Sequence, residues 1–119
     1  MSSMNKVILL GNLTRDPEIK YTPSGTAVCD LSIALNYTTG KGDQKKDEVS
    51  FIDLTAFSKT AETAAEYLKK GRQIIVEGRL QQDRWETQDG QKRSKVKVIV
   101  ERLTFVGSQS AAEPAQEDI

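Results

Sequence analysis

The chain has 119 residues, 37% hydrophobic and 29% charged, and its 17 Lys+Arg balance 17 Asp+Glu to a net charge of zero. That length suits one domain, able to bury about 60–70% of its unfolded-chain surface without staples. A single Cys and no His exclude an intrachain disulfide and the commonest zinc sites, and no apolar run is long enough to span a bilayer. Residues 1–6 lack the basic and apolar regions of a signal peptide, so a soluble protein of a reducing cytosol is expected, with no metal and no cofactor.

Residues 4–13 contain Val7-Ile8-Leu9-Leu10 and then Gly11-Asn12, read as a strand covered on both faces for part of its length. In 14–25, Asp16-Pro17 and Pro23-Ser24-Gly25 are turn signals on either side of Ile19-Lys20-Tyr21. Over 26–36, Cys29, Leu31, Ile33 and Leu35 alternate with Asp30, Ser32, Ala34 and Asn36. This is the pattern of a half-buried antiparallel strand, with Cys29 as a small core residue. Residues 37–48, with Gly40, Gly42, Lys41, Lys45 and Lys46, read as a long, mobile, mildly basic hairpin loop.

Residues 47–59 hold two rows. Ile52, Leu54 and Ala56 form a small apolar row, while Val49, Phe51, Asp53, Thr55 and Phe57 point to the other face. If the first row faces a core, Phe51 and Phe57 stand among polar neighbours on an open sheet, a platform on which unpaired bases stack. The plainer alternative is that both rings fill a second buried face, as in a sandwich.

A helix is predicted over 60–70, because Ala61, Ala64, Ala65 and Leu68 keep the spacing of a buried stripe. Thr60 would cap its start and Gly71 its end, with Glu62 and Lys69/Lys70 suiting the dipole. Over 73–81, Ile74, Val76 and Leu80 are the inward row, interrupted by Gly78 where a barrel bends or backbones crowd. Residues 83–93 carry Trp85 and Asp89-Gly90, the chemistry of a two-residue hairpin turn. The last strand, 94–105, sets Val96, Val98 and Val100 against Lys95 and Lys97. From Ser108 no core pattern remains, and Glu113, Glu117 and Asp118 leave 14 acidic against 17 basic residues in the body. The division is a domain over 1–107 and a disordered acidic tail over 108–119.

Three strands, a helix and two more strands describe an all-β fold with one short helix. A five-stranded Greek-key barrel, the OB-fold, fits this order, although other small β-barrels share the pattern. Asn5-Lys6-Val7-Ile8-Leu9-Leu10-Gly11-Asn12-Leu13, then Asp16-Pro17-Glu18 and Lys20-Tyr21-Thr22, closely resemble the start of bacterial single-stranded DNA-binding proteins. Residues 65–71 (Ala-Glu-Tyr-Leu-Lys-Lys-Gly), Val76-Glu77-Gly78-Arg79-Leu80, and Trp85 with Asp89-Gly90 resemble that family's helix, fourth strand, tryptophan and turn. The likeness covers about residues 4–107.

The resemblance implies a homotetramer in the bacterial cytoplasm, associated with the nucleoid. It would cover single-stranded DNA without reading sequence in replication, recombination and repair, making and breaking no bond. By position Phe51, Phe57 and Trp85 match the family's base-stacking aromatics. A fourth would fall at Thr39, for which Tyr37, two residues earlier, is the candidate replacement. Family tails dock replication and repair proteins through acidic residues followed by Ile-Pro-Phe or a near equivalent. Here the last residues are Glu117-Asp118-Ile119, a departure that counts against that docking.

Phosphates need cations. Candidates are Lys6, Arg15, Lys20, Lys41, Lys45, Lys46, Arg79, Arg84, Lys92, Arg93, Lys95 and Lys97, with Lys6, Arg84, Arg93 and Lys95 ranked first. Across a two-residue turn Arg84 would face Lys95, and Glu86 would face Arg93; like charges opposite one another become tolerable beside a phosphate. A related OB-fold module, a replication-restart accessory or an RNA-preferring barrel, is the alternative binding reading. A nuclease using Asp53 and Glu77 is the enzymatic one, and there each carboxylate also reads as a plain strand surface charge.

Overall fold

The alternating segments pair into one sheet. In this computed structural model, which describes residues 2–106, the strands are β1 (Val7–Leu13), β2 (Glu18–Tyr21), β3 (Ala27–Thr39), β4 (Lys46–Phe57), β5 (Gln73–Glu86) and β6 (Lys92–Phe105). Helix α1 (Ser58–Tyr67) lies between β4 and β5. The sheet order is β1-β5-β6-β4-β3-β2, and β1 also pairs with β3. That last contact, Asn12↔Ala34 and Leu13↔Ile33, closes five strands into an OB-fold barrel. The seam between β4 and β6 is parallel and short, Leu54↔Val98 and Thr55↔Ile99.

Inside sit Leu31 and Ile33 from β3, Leu54 from β4, Ile74 and Val76 from β5, and Val98 from β6, all less than 2% exposed. Each comes from a row that alternation marks as inward, and each such burial is worth roughly 1.5–3 kcal/mol. Cys29 is sealed among them. Burial first, and then the neighbouring Asp30 charge, push its thiol pKa above the ordinary value, so it acts as a small apolar residue. Ala61 and Ala64 bring α1 onto the barrel, and Leu68 follows it into the core.

Several expectations are corrected. Residues 18–21 form a sixth strand, hydrogen-bonded along the edge of β3. Half of the expected 37–48 loop is strand: β3 and β4 stay paired out to Thr39↔Lys46. The helix starts two residues early because Ser58, at φ 54°, turns the chain directly out of β4. Its N-cap position is therefore Phe57, without a side-chain cap, and Glu62, Lys69 and Lys70 fall outside its terminal turns. Instead, the Lys70 backbone N–H donates to Asp16 at 2.8 Å. On β1, Ile8 and Leu10 are exposed, so that strand is covered on one face only within the single chain. The expected acidic tail, 108–119, and any docking through it lie outside the described residues.

Gly78 marks a break in β5. The register passes from Glu77↔Arg102 to Gly78↔Val100, so Glu101 is the extra residue of a bulge. A Cβ on Gly78 would lie 2.0 Å from the Ile99 carbonyl oxygen. Just beyond, β5 and β6 leave the barrel as a two-stranded arm. Leu80, expected inward, and Val96, on the side of Val98 and Val100, are 48% and 54% exposed there. Their row still alternates, but β1 pairs with β5 only as far as Val7↔Gly78, and the arm extends past that point.

Candidate nucleic-acid interface

The pairing register places each ring. Residues opposite one another across a ladder share a face. On β4, Phe51 faces Ala34, Asp53 faces Ser32, and Phe57 faces Val28; all belong to the row opposite the core residues. The same side continues through Thr55↔Ile99 onto β6, and through Arg79↔Ile99, Gln81↔Lys97, Asp83↔Lys95 and Trp85↔Arg93 onto β5. Phe51, Phe57 and Trp85 therefore stand on one outer surface, 65%, 41% and 49% exposed. The sandwich alternative, with both Phe rings buried, does not hold.

The Trp85 arm ends in a three-residue loop, where a two-residue one is expected. The Thr87 N–H donates to Gln91 O and the Gly90 N–H to Thr87 O, both at 2.9 Å, with Gly90 at φ 87°. The Thr87 hydroxyl accepts the Gln91 N–H and donates to the Asp89 carboxylate, which holds the Asp89 pKa below its usual value. The extra loop residue shifts the register by one. Arg84 lies opposite Ser94, Lys95 opposite Asp83, and Glu86 opposite Lys92, so the expected Arg84–Lys95 and Glu86–Arg93 facings are absent.

The cations divide accordingly. Arg93 shares the face of Trp85, and its Nη2 donates to Gln91 Oε1 at 2.8 Å. Arg84 alternates onto the arm's other side, its guanidinium held by Gln82 Oε1 at 3.0 and 2.8 Å. Arg84, Trp85, Lys92 and Arg93 line a cleft of about 510 Å³. Lys95 lies on the ring surface and contacts Asp53 at 2.5 Å, while Lys97 contacts Asp83 at 3.1 Å. The Asp53 hydrogen bond and charge push the Lys95 pKa upward. Lys45 and Lys46 are exposed on the β3–β4 arm. Tyr37, opposite Glu48 on that arm, is half-exposed and belongs to the face opposite Phe51. Lys6 lies apart from the rings, at the β1 side of the sheet, 3.5 Å from Glu77 and 4.0 Å from Glu101.

Phe51, Phe57, Trp85, Arg93 and Lys95 are thus brought together, whereas Tyr37 and Arg84 are on the other side of their arms and Lys6 lies away from the rings, beside Glu77 at the barrel end of the outer β5 row. Asp53 and Glu77, the nuclease pair, each already face a lysine. Among the described residues no group of three or more His, Cys, Asp or Glu is placed to hold a metal ion, and no helix is long and apolar enough to cross a membrane. Sequence reading misses a second, polar cleft of about 240 Å³ where Arg15, Asp30, Asp53, Asp83, Lys95 and Lys97 meet. No local pattern announces it, because its walls come from β3, β4, β5 and β6 and from the chain just after β1.

Comparison with known proteins gives one consistent answer. Residues 4–106 match the single-strand binding protein family. The chain is 49% identical over 114 residues to the single-stranded DNA-binding protein of Wolinella succinogenes, covering 95% of this chain and 70% of that one. It is 42% identical over 118 residues to that of Treponema pallidum, covering 99% and 66%. In structure it is similar to the Plasmodium falciparum SSB in complex with ssDNA, with a TM-score of 0.82 at 24% identity over 90% of this chain and 98% of the other. That likeness supports the OB-fold, and the family match, spanning the barrel and both arms, shows that this chain belongs to the single-strand binding protein family.

Proposed function

We propose that the outer surface of β4, β6 and β5 holds single-stranded DNA by stacking bases on Phe51, Phe57 and Trp85. One observation carries this reading: three large rings stand open to water on a single sheet face that also presents Arg93 and Lys95. Rings stack on any base, so binding is independent of sequence, and cations neutralise phosphates without reading bases. Arg93, Lys95 and Arg84 serve the β5–β6 arm, and Lys45 and Lys46 the β3–β4 arm, where Tyr37 takes a further base. Lys6 contributes by charge alone, being already engaged by two carboxylates. The activity is covering and protecting single strands during replication, recombination and repair in the bacterial cytoplasm.

A homotetramer belongs to the same proposal. Ile8 and Leu10 are exposed on β1, opposite Glu77 and Ile75 of β5, an apolar strip that further copies would cover. Absolute mass from light scattering, with and without a long oligothymidylate, tests assembly and complex formation together. Trp85 is the only Trp, so its fluorescence should fall as oligothymidylate is added. Affinity should weaken with salt at a log–log slope near −0.7 per neutralised phosphate. An unchanged signal and a flat salt response would count decisively against the proposal.

A further inference from the structure

Two of the basic residues on the ring surface are already occupied. Lys95 on β6 contacts Asp53 of β4, and Lys97 on β6 contacts Asp83 of β5. All four belong to the outer row that carries Phe51 and Trp85, and all four line the polar cleft. With Arg15 and Asp30 the cleft holds three cations and three carboxylates, so its local charge is balanced where a polyanion is expected to lie.

From this we infer that Asp53 and Asp83 are built-in competitors of the DNA phosphates, occupying Lys95 and Lys97 in the free protein and holding affinity for single strands down. The inference rests on the stacking surface proposed above. A carboxylate and a phosphate oxygen make the same demand on an ammonium group: a negative acceptor at hydrogen-bond distance. A lysine cannot serve both fully, and a phosphate that takes the lysine meets the freed carboxylate as a like charge. The pairs are open enough to be exchanged. The side chains of Lys95 and Asp53 are 57% and 40% exposed, and those of Lys97 and Asp83 are 24% and 41% exposed. Asp83 remains charged in neutral solution. The Asp83 pKa is lowered, first by the Gln81 amide and then by Lys97, and the partner of Asp53 is a lysine whose own pKa is raised.

The test is the binding of a fluorescent oligothymidylate to the full chain and to the Asp53→Asn and Asp83→Asn variants, with thermal melts to verify folding. Each variant should bind roughly 2- to 5-fold more tightly at ~0.1 M salt, the exchange value of an exposed ion pair. The double variant's salt slope should steepen by up to about 1.4, two phosphates' worth. A Glu62→Gln variant on α1, which changes net charge equally but away from the cleft, should gain much less. The Asp53→Asn gain should vanish in a Lys95→Ala background, and the Asp83→Asn gain in a Lys97→Ala background. Unchanged or weaker binding by both variants, an equal gain in Glu62→Gln, or gains that persist without the lysines would each overturn the inference. A wild-type chain that fails to bind at all would instead overturn the stacking surface itself, so the two failures are distinguishable.

Discussion

Strand β5 carries one alternating row through two different environments. In the barrel its members Ile74 and Val76 are fully buried, and in the arm Leu80, from the same row, is half open. β6 repeats the contrast with Val98 and Val96. Alternation along β5 runs through the break, where the extra residue falls on β6; what changes is whether another strand lies over the row. Barrel closure therefore decides burial, while sequence pattern decides only which side a residue faces. The interior can hold the fold with small and medium side chains, leaving the outer surface, from the body at Phe51 and Phe57 to the arm at Trp85, to display large rings that the core does not need.

Removing two rings at once should break that division most visibly if it is wrong. Phe51→Ala combined with Trp85→Ala should weaken oligothymidylate binding by about 2–6 kcal/mol while leaving the thermal midpoint nearly unchanged. The range of about 1–3 kcal/mol per stacked base is taken over from strand-binding barrels of this family. A large drop in midpoint would mean that the outer rings hold the fold after all. The opposite substitution comes next. Leu54→Ala, at a site 1% exposed, should remove about 2–5 kcal/mol of stability in denaturant unfolding, with the molecules that remain folded binding DNA at wild-type affinity.

The barrel and most of the proposed stacking surface are legible in the sequence. The rows of β3, β4 and β5 separate core from surface residue by residue, and the family resemblance assigns Phe51, Phe57 and Trp85 before any ladder is known. The parts that are not legible depend on single-residue geometry. Asp89-Gly90 suits a two-residue turn as well as the three-residue loop that forms, and that one residue moves every cross-strand partner of Arg84 and Lys95. Lys95 and Asp53 meet across a parallel seam of two residue pairs, and no periodicity reports such a seam. The outward positions of Leu80 and Val96 depend on where β1 stops, a fact written on a different strand.

The junction between body and arm can be probed directly. Gly78 sits at the bulge where β5 leaves the barrel, and a methyl group there would press on the Ile99 carbonyl oxygen. Gly78→Ala should therefore lower stability by about 1–3 kcal/mol, the ordinary range for overpacking. Because the backbone of β6 must yield, the same variant should also shift the Trp85 emission of the free protein. Loss of stability with unchanged emission would show that the body relaxes alone and that the arm's direction is set elsewhere.

Tyr37 gives the smallest effect and the sharpest distinction between the arms' two faces. It is paired with Glu48 and alternates away from Phe51, so a strand lying only on the outer surface never meets it. A strand that passes round the edge of the β3–β4 arm does meet it, near the exposed Lys45 and Lys46. On that path Tyr37→Ala should weaken binding by about 1 kcal/mol, the low end for a single stacked base. Tyr37→Phe should bind like wild type, because stacking uses the ring and not the hydroxyl. Fluorescence titration at fixed salt resolves a fivefold change in affinity. If Tyr37→Ala binds as well as wild type while Phe51→Ala does not, the DNA path is confined to the outer row. If both weaken binding, the arm is wrapped on two faces, and its protrusion beyond the barrel is what makes the second face reachable.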